Sequence, residues 1–241
     1  PLSLHDALPF LGVRGGLDDA DLQAKVLTCL GLVAQNRGAL DVTLPFYDKA
    51  LALWEEIGFV EPTLTVWFNI GTTLERLGRF DEAIQAFETV LTHVRQNGNR
   101  WLEGRVLNNL GIVYKNMGAW AQARELYLTA LRLMERGNNH IHLILPWGNL
   151  GTLSLLFGDY EAAESYYERV HLVAAEKQIP HIEGRPLDSL AHVRLLPGDV
   201  AAGEQFAQQG LVIAQQADDL ILQGMGHYQL GQATLLRSAW A

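Results

Sequence analysis

One short pattern recurs along this chain at a fixed interval of 40 residues. An aliphatic residue followed by a small residue begins at positions 30, 70, 110, 150, 190 and 230. Seven residues after the small residue, the first five copies carry a second glycine, at Gly38, Gly78, Gly118, Gly158 and Gly198. A repeat of constant length indicates identical supersecondary units that stack in a row.

Each repeat predicts two helices joined by a turn. In the first helix, apolar residues such as Trp67, Ile70 and Leu74 follow the spacing of one helical face. The small residue inside that face, such as Gly71, costs about 1 kcal/mol of helix propensity when it is glycine. We therefore expect the backbone of a neighbouring helix to approach it closely. The second glycine is placed to end the helix in the left-handed conformation.

In the third repeat, the second helix alternates small and aromatic residues on its apolar face, at Ala123, Tyr127 and Ala130, and the fifth repeat departs from this series. Together with Leu107 and Tyr114 in the first helix, this order resembles the tetratricopeptide repeat. The 40-residue length and the phrase LNNLG at 107–111 are similar to the long-helix version in kinesin light chains. They also resemble the sensor arms of bacterial signal-transducing ATPases and related transcription regulators. The resemblance implies an all-α, right-handed superhelical solenoid of antiparallel helix pairs.

The repeat divides the chain into a single predicted solenoid domain over residues 1–241. Residues 1–20 align with the second helix of a preceding repeat, and residues 221–241 supply the first helix of a truncated one. About five complete repeats lie between them, at 21–60, 61–100, 101–140, 141–180 and 181–220. Because the chain begins without methionine and starts and stops inside a unit, we expect it to be a fragment of a larger protein.

Composition and charge exclude several classes of function. A formal net charge of −9 and scattered basic residues argue against direct binding to nucleic acid or to an anionic membrane. Neither a signal peptide nor an apolar run near the roughly 20 residues of a membrane span is present, which predicts a cytoplasmic chain. The single cysteine, Cys29, cannot form an internal disulfide, and its place on an apolar helix predicts a buried thiol.

The candidate binding residues lie on the first helices, which the resemblance implies line the concave face where ligands bind. Asn69, Asn109 and Asn149 occupy one repeat position and predict a column of amides, with Asn108 beside them. An amide offers donors and an acceptor, so such a column could hold the backbone of an extended peptide. Asparagine does so in similar peptide-binding repeats. The alternative is that each amide bonds a neighbouring helix or its own backbone.

Two cations flank the central asparagine pair. Arg105 and Lys115 project toward the same face and would suit a carboxylate or an acidic side chain of a partner. Further along, apolar residues occupy this face at Leu155, Leu156, Leu195 and Leu196. They predict either an exposed apolar patch for an interaction, or a surface that further helices cover.

Enzyme chemistry has little support in this sequence. The histidines are dispersed, and no glycine-rich phosphate loop, nucleophile elbow or metal-ligand spacing is present, so we expect neither a metal nor a cofactor. The sequence therefore predicts a module that binds a protein or an extended, acidic peptide segment. It would serve as the interaction or sensor arm of a larger multidomain, bacterial signalling protein, attached to flanking domains. The alternatives are a structural or self-assembling spacer, or the small-ligand sensor of a transcription regulator.

Overall fold

The computed structural model of the protein describes residues 17–135 and 140–239. This part of the chain is folded into eleven α-helices and one short 3-10 helix, and it contains no β-strand. The all-α arrangement of helix pairs predicted by the 40-residue period is confirmed. The chain forms two compact units, residues 1–113 and residues 114–241. A single domain over all 241 residues stays a prediction.

The first unit consists of consecutive helices joined by turns of two or three residues. Such short connections make neighbouring helices antiparallel, and α1 packs against α2, α2 against α3 and α3 against α4. The helices are α1 (Leu17–Asn36), α2 (Leu40–Ile57), α3 (Val60–Arg76), α4 (Phe80–Gln96) and α5 (Arg100–Asn116), whose last turn crosses the boundary of the unit.

The second unit repeats this arrangement, and α6 to α10 each pack against the next helix in order. A 3-10 helix at His140–Leu143 directly precedes α7. The α-helices are α6 (Trp120–Met134), α7 (Ile144–Leu156), α8 (Tyr160–Glu176), α9 (Pro180–Leu195), α10 (Val200–Gln216) and α11 (Leu220–Ala239).

Left-handed residues end the helices at regular intervals. The five glycines predicted to do so have φ between 74° and 92°, which confirms their role. At Gly78 the N–H donates to the carbonyl of Glu75, and the next N–H donates to that of Leu74, so the free carbonyls of the last turn are satisfied. The sequence did not indicate that Gln178 and Asp218 adopt the same conformation after α8 and α10.

The small residue inside the first helix makes room for an aromatic side chain. A Cβ on Gly71 would lie 2.8 Å from Cε1 of Phe87, and one on Gly31 would lie 2.4 Å from Cε1 of Tyr47. The expected close approach therefore exists, but the approaching group is a ring of the second helix and not a helix backbone. Each of these rings is fully buried and ties the two helices of its repeat together.

Cys29 does not have the environment that the sequence predicted. Its thiol is exposed on α1, whereas Ala24 and Leu27 of the same helix are buried. The buried face of α1 is therefore narrower than its run of apolar residues suggested. A narrow stripe of this kind is what a helix shows when only part of its circumference is covered by neighbours.

Candidate functional site

In the first unit, the predicted contact residue Arg105 lies between two aromatic rings. Its guanidinium is 4.7 Å from the ring centroid of Phe68 and 4.8 Å from that of Trp101. Both distances are those of cation–π contacts, which hold the side chain in place while it stays charged. Burial lowers the pKa of Arg105. Among the residues that the structure describes, no carboxylate forms an ion pair with it.

The three predicted asparagines of this unit differ in their surroundings. Asn109 is half-buried, and its amide nitrogen donates to the carbonyl of Arg105 at 3.0 Å, a bond to its own helix. Asn69 is half-buried on α3, where it directly follows Phe68. Asn108 is only 2% exposed, so the expectation that it faces a binding surface is wrong. Its side chain points into the core because α5 is covered on a wider arc than its apolar stripe indicated.

In the second unit, Asn149 lines an open cavity of about 500 Å³. The cavity is bounded by α7 and α9, and Arg185 and Ser189 of α9 reach it from the other side. Asn149 lies on the first helix of the fourth repeat, and Arg185 and Ser189 lie on the first helix of the fifth. The structure therefore brings polar residues of two successive repeats to one cavity. Lys115 is half-buried in the last turn of α5 and does not line this cavity.

The floor of this cavity comes from the apolar face of a second helix, which the sequence placed in the core. Tyr167 of α8 forms the floor, and its hydroxyl lies 3.2 Å from the hydroxyl of Thr152, at hydrogen-bond distance. Burial raises the pKa of Tyr167, and hydrogen bonds to Thr152 and Ser189 lower it by less. Leu145 and Ile182 are among the apolar lining residues. Sequence periodicity did not identify Tyr167 as a lining residue because it cannot tell a core contact from a cavity wall.

The predicted apolar patch is not one exposed surface. Leu195 is 5% exposed and packs against Gly203, where an added Cβ would meet its side chain at 2.6 Å. Leu155 is half-buried against a core cluster that includes Tyr167. Leu156 and Leu196, at 53% and 48%, are the exposed members. Neither alternative holds for all four leucines, because α10 and the core cover one leucine of each pair and leave the other exposed.

Neither metal-binding clusters nor membrane-spanning helices occur in the described part of the chain. Residues 17–135 and 140–239 contain no group of three or more His, Cys, Asp or Glu side chains arranged to hold a metal ion. Over the same residues, no helix combines the length and the apolar character that crossing a bilayer requires.

Proteins of related sequence match part of the chain. It is 38% identical over 88 residues to human mitochondrial tetratricopeptide repeat protein 19, across 36% of this chain and 23% of that protein. It is 26% identical over 106 residues to outer dynein arm-docking complex subunit 4 of Xenopus laevis, across 44% of this chain and 19% of that protein. The chain therefore spans about a quarter or less of the length of these curated relatives.

Solved structures of the same fold cover nearly the whole chain. Aspartyl phosphate phosphatase F of Bacillus subtilis superposes with a TM-score of 0.79 at 12% identity, over 98% of this chain and 63% of that one. NprR in complex with its cognate peptide NprX gives 0.68 at 17% identity, over 98% and 66%. The apo form of NprR is described as that of a quorum sensor from B. thuringiensis.

The two protein classes that the residue pattern resembles are both represented among these folds. Repeats of a putative kinesin light chain superpose with a TM-score of 0.63, and the STAND protein of Pyrococcus horikoshii with a tetratricopeptide repeat sensor gives 0.67. The model of the tetratricopeptide repeat family itself matches residues 22–96 and 102–171, which is more than half of the chain. With its paired helices, its glycine-ended turns and this match, the chain belongs to the tetratricopeptide repeat family.

Proposed function

We propose that this chain is a protein-binding module that holds an extended segment of a partner in the cavity between α7 and α9. The observation that carries the proposal is the convergence of Asn149, Arg185 and Ser189 on one largely apolar cavity. A cavity of about 500 Å³ lies within the range of about 300–1,000 Å³ that is usual for binding sites.

The lining residues favour a particular kind of segment. Leu145, Ile182 and the ring of Tyr167 would contact an apolar side chain of the partner. The exposed guanidinium of Arg185 would pair with a carboxylate on the same segment through two parallel hydrogen bonds, the bidentate geometry that arginine favours. Asp219 also lines the cavity, and its carboxylate accepts a hydrogen bond from the N–H of Leu222. We therefore expect one acidic group next to an apolar one, and not a run of acidic residues.

The first unit contributes a second candidate contact. Arg105 is fixed by Phe68 and Trp101, so less side-chain entropy would be lost when its guanidinium meets a partner carboxylate. Asn109 already uses its amide nitrogen on its own helix. Its carbonyl oxygen is the part that would accept a hydrogen bond from a peptide N–H.

The similar folds support a peptide as the partner and a sensor arm as the role. NprR has been solved with its cognate peptide, and the STAND protein carries its repeats as a sensor. Both comparisons fall below 20% identity, so they show a shared fold, and the peptide partner and the sensor role are part of the proposal. We propose that the module is the interaction arm of a larger signalling or regulatory protein and has no catalysis of its own.

The test is to select binding peptides from a displayed random library on the 241-residue chain and to measure their affinity by fluorescence polarization. Asn149→Ala and Arg185→Ala should each weaken binding about tenfold, which corresponds to about 1.4 kcal/mol. Asn97→Ala and Arg124→Ala, which remove an exposed amide and an exposed guanidinium elsewhere, are the matched controls. Unchanged affinity in both cavity variants would exclude this cavity as the binding site.

A further inference from the structure

Trp67 differs in burial from its counterparts in the other complete repeats. The residues at the same repeat position are Leu27, Leu107, Trp147 and Leu187, and none of them is more than 7% exposed. Trp67 is half-buried, although it belongs to the same apolar stripe. Its ring therefore has an open side that the periodicity of the sequence does not indicate.

The opening has a specific cause in the second helix. The guanidinium of Arg169 on α8 lies 5.9 Å from the ring centroid of Trp147 and helps to cover it. The residue that corresponds to Arg169 in the earlier repeat is Thr89 on α4. The Thr89 hydroxyl donates to the carbonyl of Gln85 in its own helix. Its side chain is too short to cover Trp67 as Arg169 covers Trp147.

Two open cavities meet at this exposed ring. One has a volume of about 580 Å³ and the other of about 390 Å³, and Trp67 and Thr89 line both. We name the two cavities together the α2–α4 groove, because residues of α2 and α4 form its sides and α3 forms its floor. Trp67 and Asn69 lie about 200° apart around α3, so the groove faces away from the side on which the first-helix asparagine lies.

The groove combines an apolar floor with an acidic rim. Leu44, Ile70 and Leu74 lie on the apolar side. Asp41, Asp48 and Glu82 line the larger cavity and Glu55 lines the smaller one. Arg79 is the basic residue of the larger cavity, and His93 lines the smaller one.

The basic residue does not balance the acidic ones. The guanidinium of Arg79 forms two hydrogen bonds to the carboxylate of Glu82, at 2.7 and 2.5 Å. Asp48 lies close enough to Arg79 to interact with it electrostatically. After the pair of Arg79 and Glu82 is set aside, Asp41, Asp48 and Glu55 remain as negative charges around the groove, which attract a cationic partner and repel an anionic surface.

We propose that the α2–α4 groove is a second docking surface, and that it binds a basic amphipathic segment of a partner protein. One bulky apolar side chain of that segment would fill the space beside Trp67, and flanking Lys or Arg residues would meet Asp41 and Asp48. A flanking guanidinium could also stack on the indole ring, as Arg169 does on Trp147. This surface is separate from the cavity between α7 and α9 and does not depend on the function proposed for it.

The probe is a pair of synthetic 12-residue peptides with one central Phe, flanked by Lys in one peptide and by Glu in the other. Binding to the 241-residue chain is followed by fluorescence polarization and by the indole N–H resonance of Trp67 in NMR spectra. Trp67→Leu assigns that resonance, and leucine is tolerated at the same position in three other repeats. We expect the Lys peptide to bind and to shift the resonance, and the Glu peptide to bind at least about tenfold more weakly.

Substitutions inside and outside the groove test whether the Lys peptide binds there. Thr89→Arg, which copies Arg169, should abolish binding, whereas Thr92→Arg, an equal charge on the exposed face of α4, should leave most of it. Asp41→Asn with Asp48→Asn should weaken the Lys peptide about tenfold, and Arg185→Ala should leave it unchanged. Equal binding of both peptides, or full binding by the double Asn variant, would overturn the proposal. Dimerisation that Thr89→Arg abolishes would also overturn it, because the occupant would then be a second copy of the chain.

Discussion

Gly151 and Tyr167 are in direct contact between the two helices of one repeat. A Cβ added to Gly151 would lie 2.8 Å from Cε1 of the ring, which is closer than such atoms can approach. The same ring forms the floor of the cavity between α7 and α9, and its hydroxyl contacts that of Thr152. The glycine required for helix packing therefore also sets the depth of the candidate binding site.

Gly151→Ala is expected to destabilise the protein. The added methyl group must displace the Tyr167 ring, and overpacking of this kind costs about 1–3 kcal/mol. The better helix propensity of alanine returns about 1 kcal/mol, so we expect a net loss in the free energy of unfolding. Urea unfolding followed by circular dichroism measures it.

Gly148→Ala is the matched control in the same helix. Apart from its chain neighbours and the adjacent backbone of its own helix, no atom lies within 4 Å of the position that its Cβ would occupy. We expect it to raise the free energy of unfolding by up to about 1 kcal/mol. If both variants shift the urea midpoint in the same direction, the contact between Gly151 and Tyr167 is not what limits this position.

Arg105 and Phe68 are expected to be energetically coupled. The guanidinium lies 4.7 Å from the ring centroid, so the pair should contribute about 0.5–1 kcal/mol to stability beyond the separate contributions of the two side chains. A double-mutant cycle with Arg105→Gln and Phe68→Leu measures this coupling from four free energies of unfolding. The cycle with Arg100→Gln, an exposed arginine of the same helix, should give none. A coupling near zero for Arg105 would show that its position over the ring does not stabilise the fold.

Asp188→Asn is expected to stabilise the protein at neutral pH. Asp188 is 8% exposed, and among the described residues its Oδ1 has no hydrogen-bond partner. Burial raises the pKa of Asp188 above its ordinary value of 3.8, and a hydrogen bond to Gln229 and the charge of His192 lower it by less. The folded state thus binds the proton more tightly than the unfolded state. The stability that Asp188 contributes therefore falls as the pH rises from 3.8 through the raised pKa.

Asp188→Asn removes the loss of stability that the ionised carboxylate of Asp188 causes. At about pH 7 we expect Asp188→Asn to raise the free energy of unfolding by about 1–3 kcal/mol, the usual cost of a buried polar group without a partner. The gain should shrink as the pH falls toward 3.8, where the carboxyl of both states takes up its proton. Asp81→Asn, an exposed acid on α4, should show a much smaller difference. A gain for Asp188→Asn that is equal at all pH values would exclude titration as its cause.

The helices and their ends could be predicted from the sequence because they depend on contacts between residues that are close in sequence. Leu74 and Gly78 belong to one turn, and the bonds that end α3 involve residues within five positions of each other. The need for space at Gly71 was also readable, since a glycine in a helix has a cost that packing must offset. The sequence did not indicate that this space is filled by the ring of Phe87.

The candidate site was predicted less completely, because periodicity gives the direction of a side chain but not what lies opposite it. Asn108 and Asn109 were both assigned to an open face, yet the first is buried and the second is half-buried and bonded to its own helix. Asn149 lies on the first helix of its repeat as expected, but periodicity gave no sign that the ring of Tyr167, on the apolar face of the second helix, lines the same cavity.

The sequence by itself determined that this chain forms helix pairs of 40 residues, with glycines at the turns and small residues inside the first helices. These features follow from hydrophobic spacing and backbone conformation, which are local properties. Only the tertiary structure decided which of the equivalent residues are open to a partner. Trp67 and Trp147 share one repeat position, and they differ because Arg169 lies over one ring while Thr89 leaves the other uncovered. Exposure depends on the size of a side chain from another helix, and no periodicity within one helix contains that information.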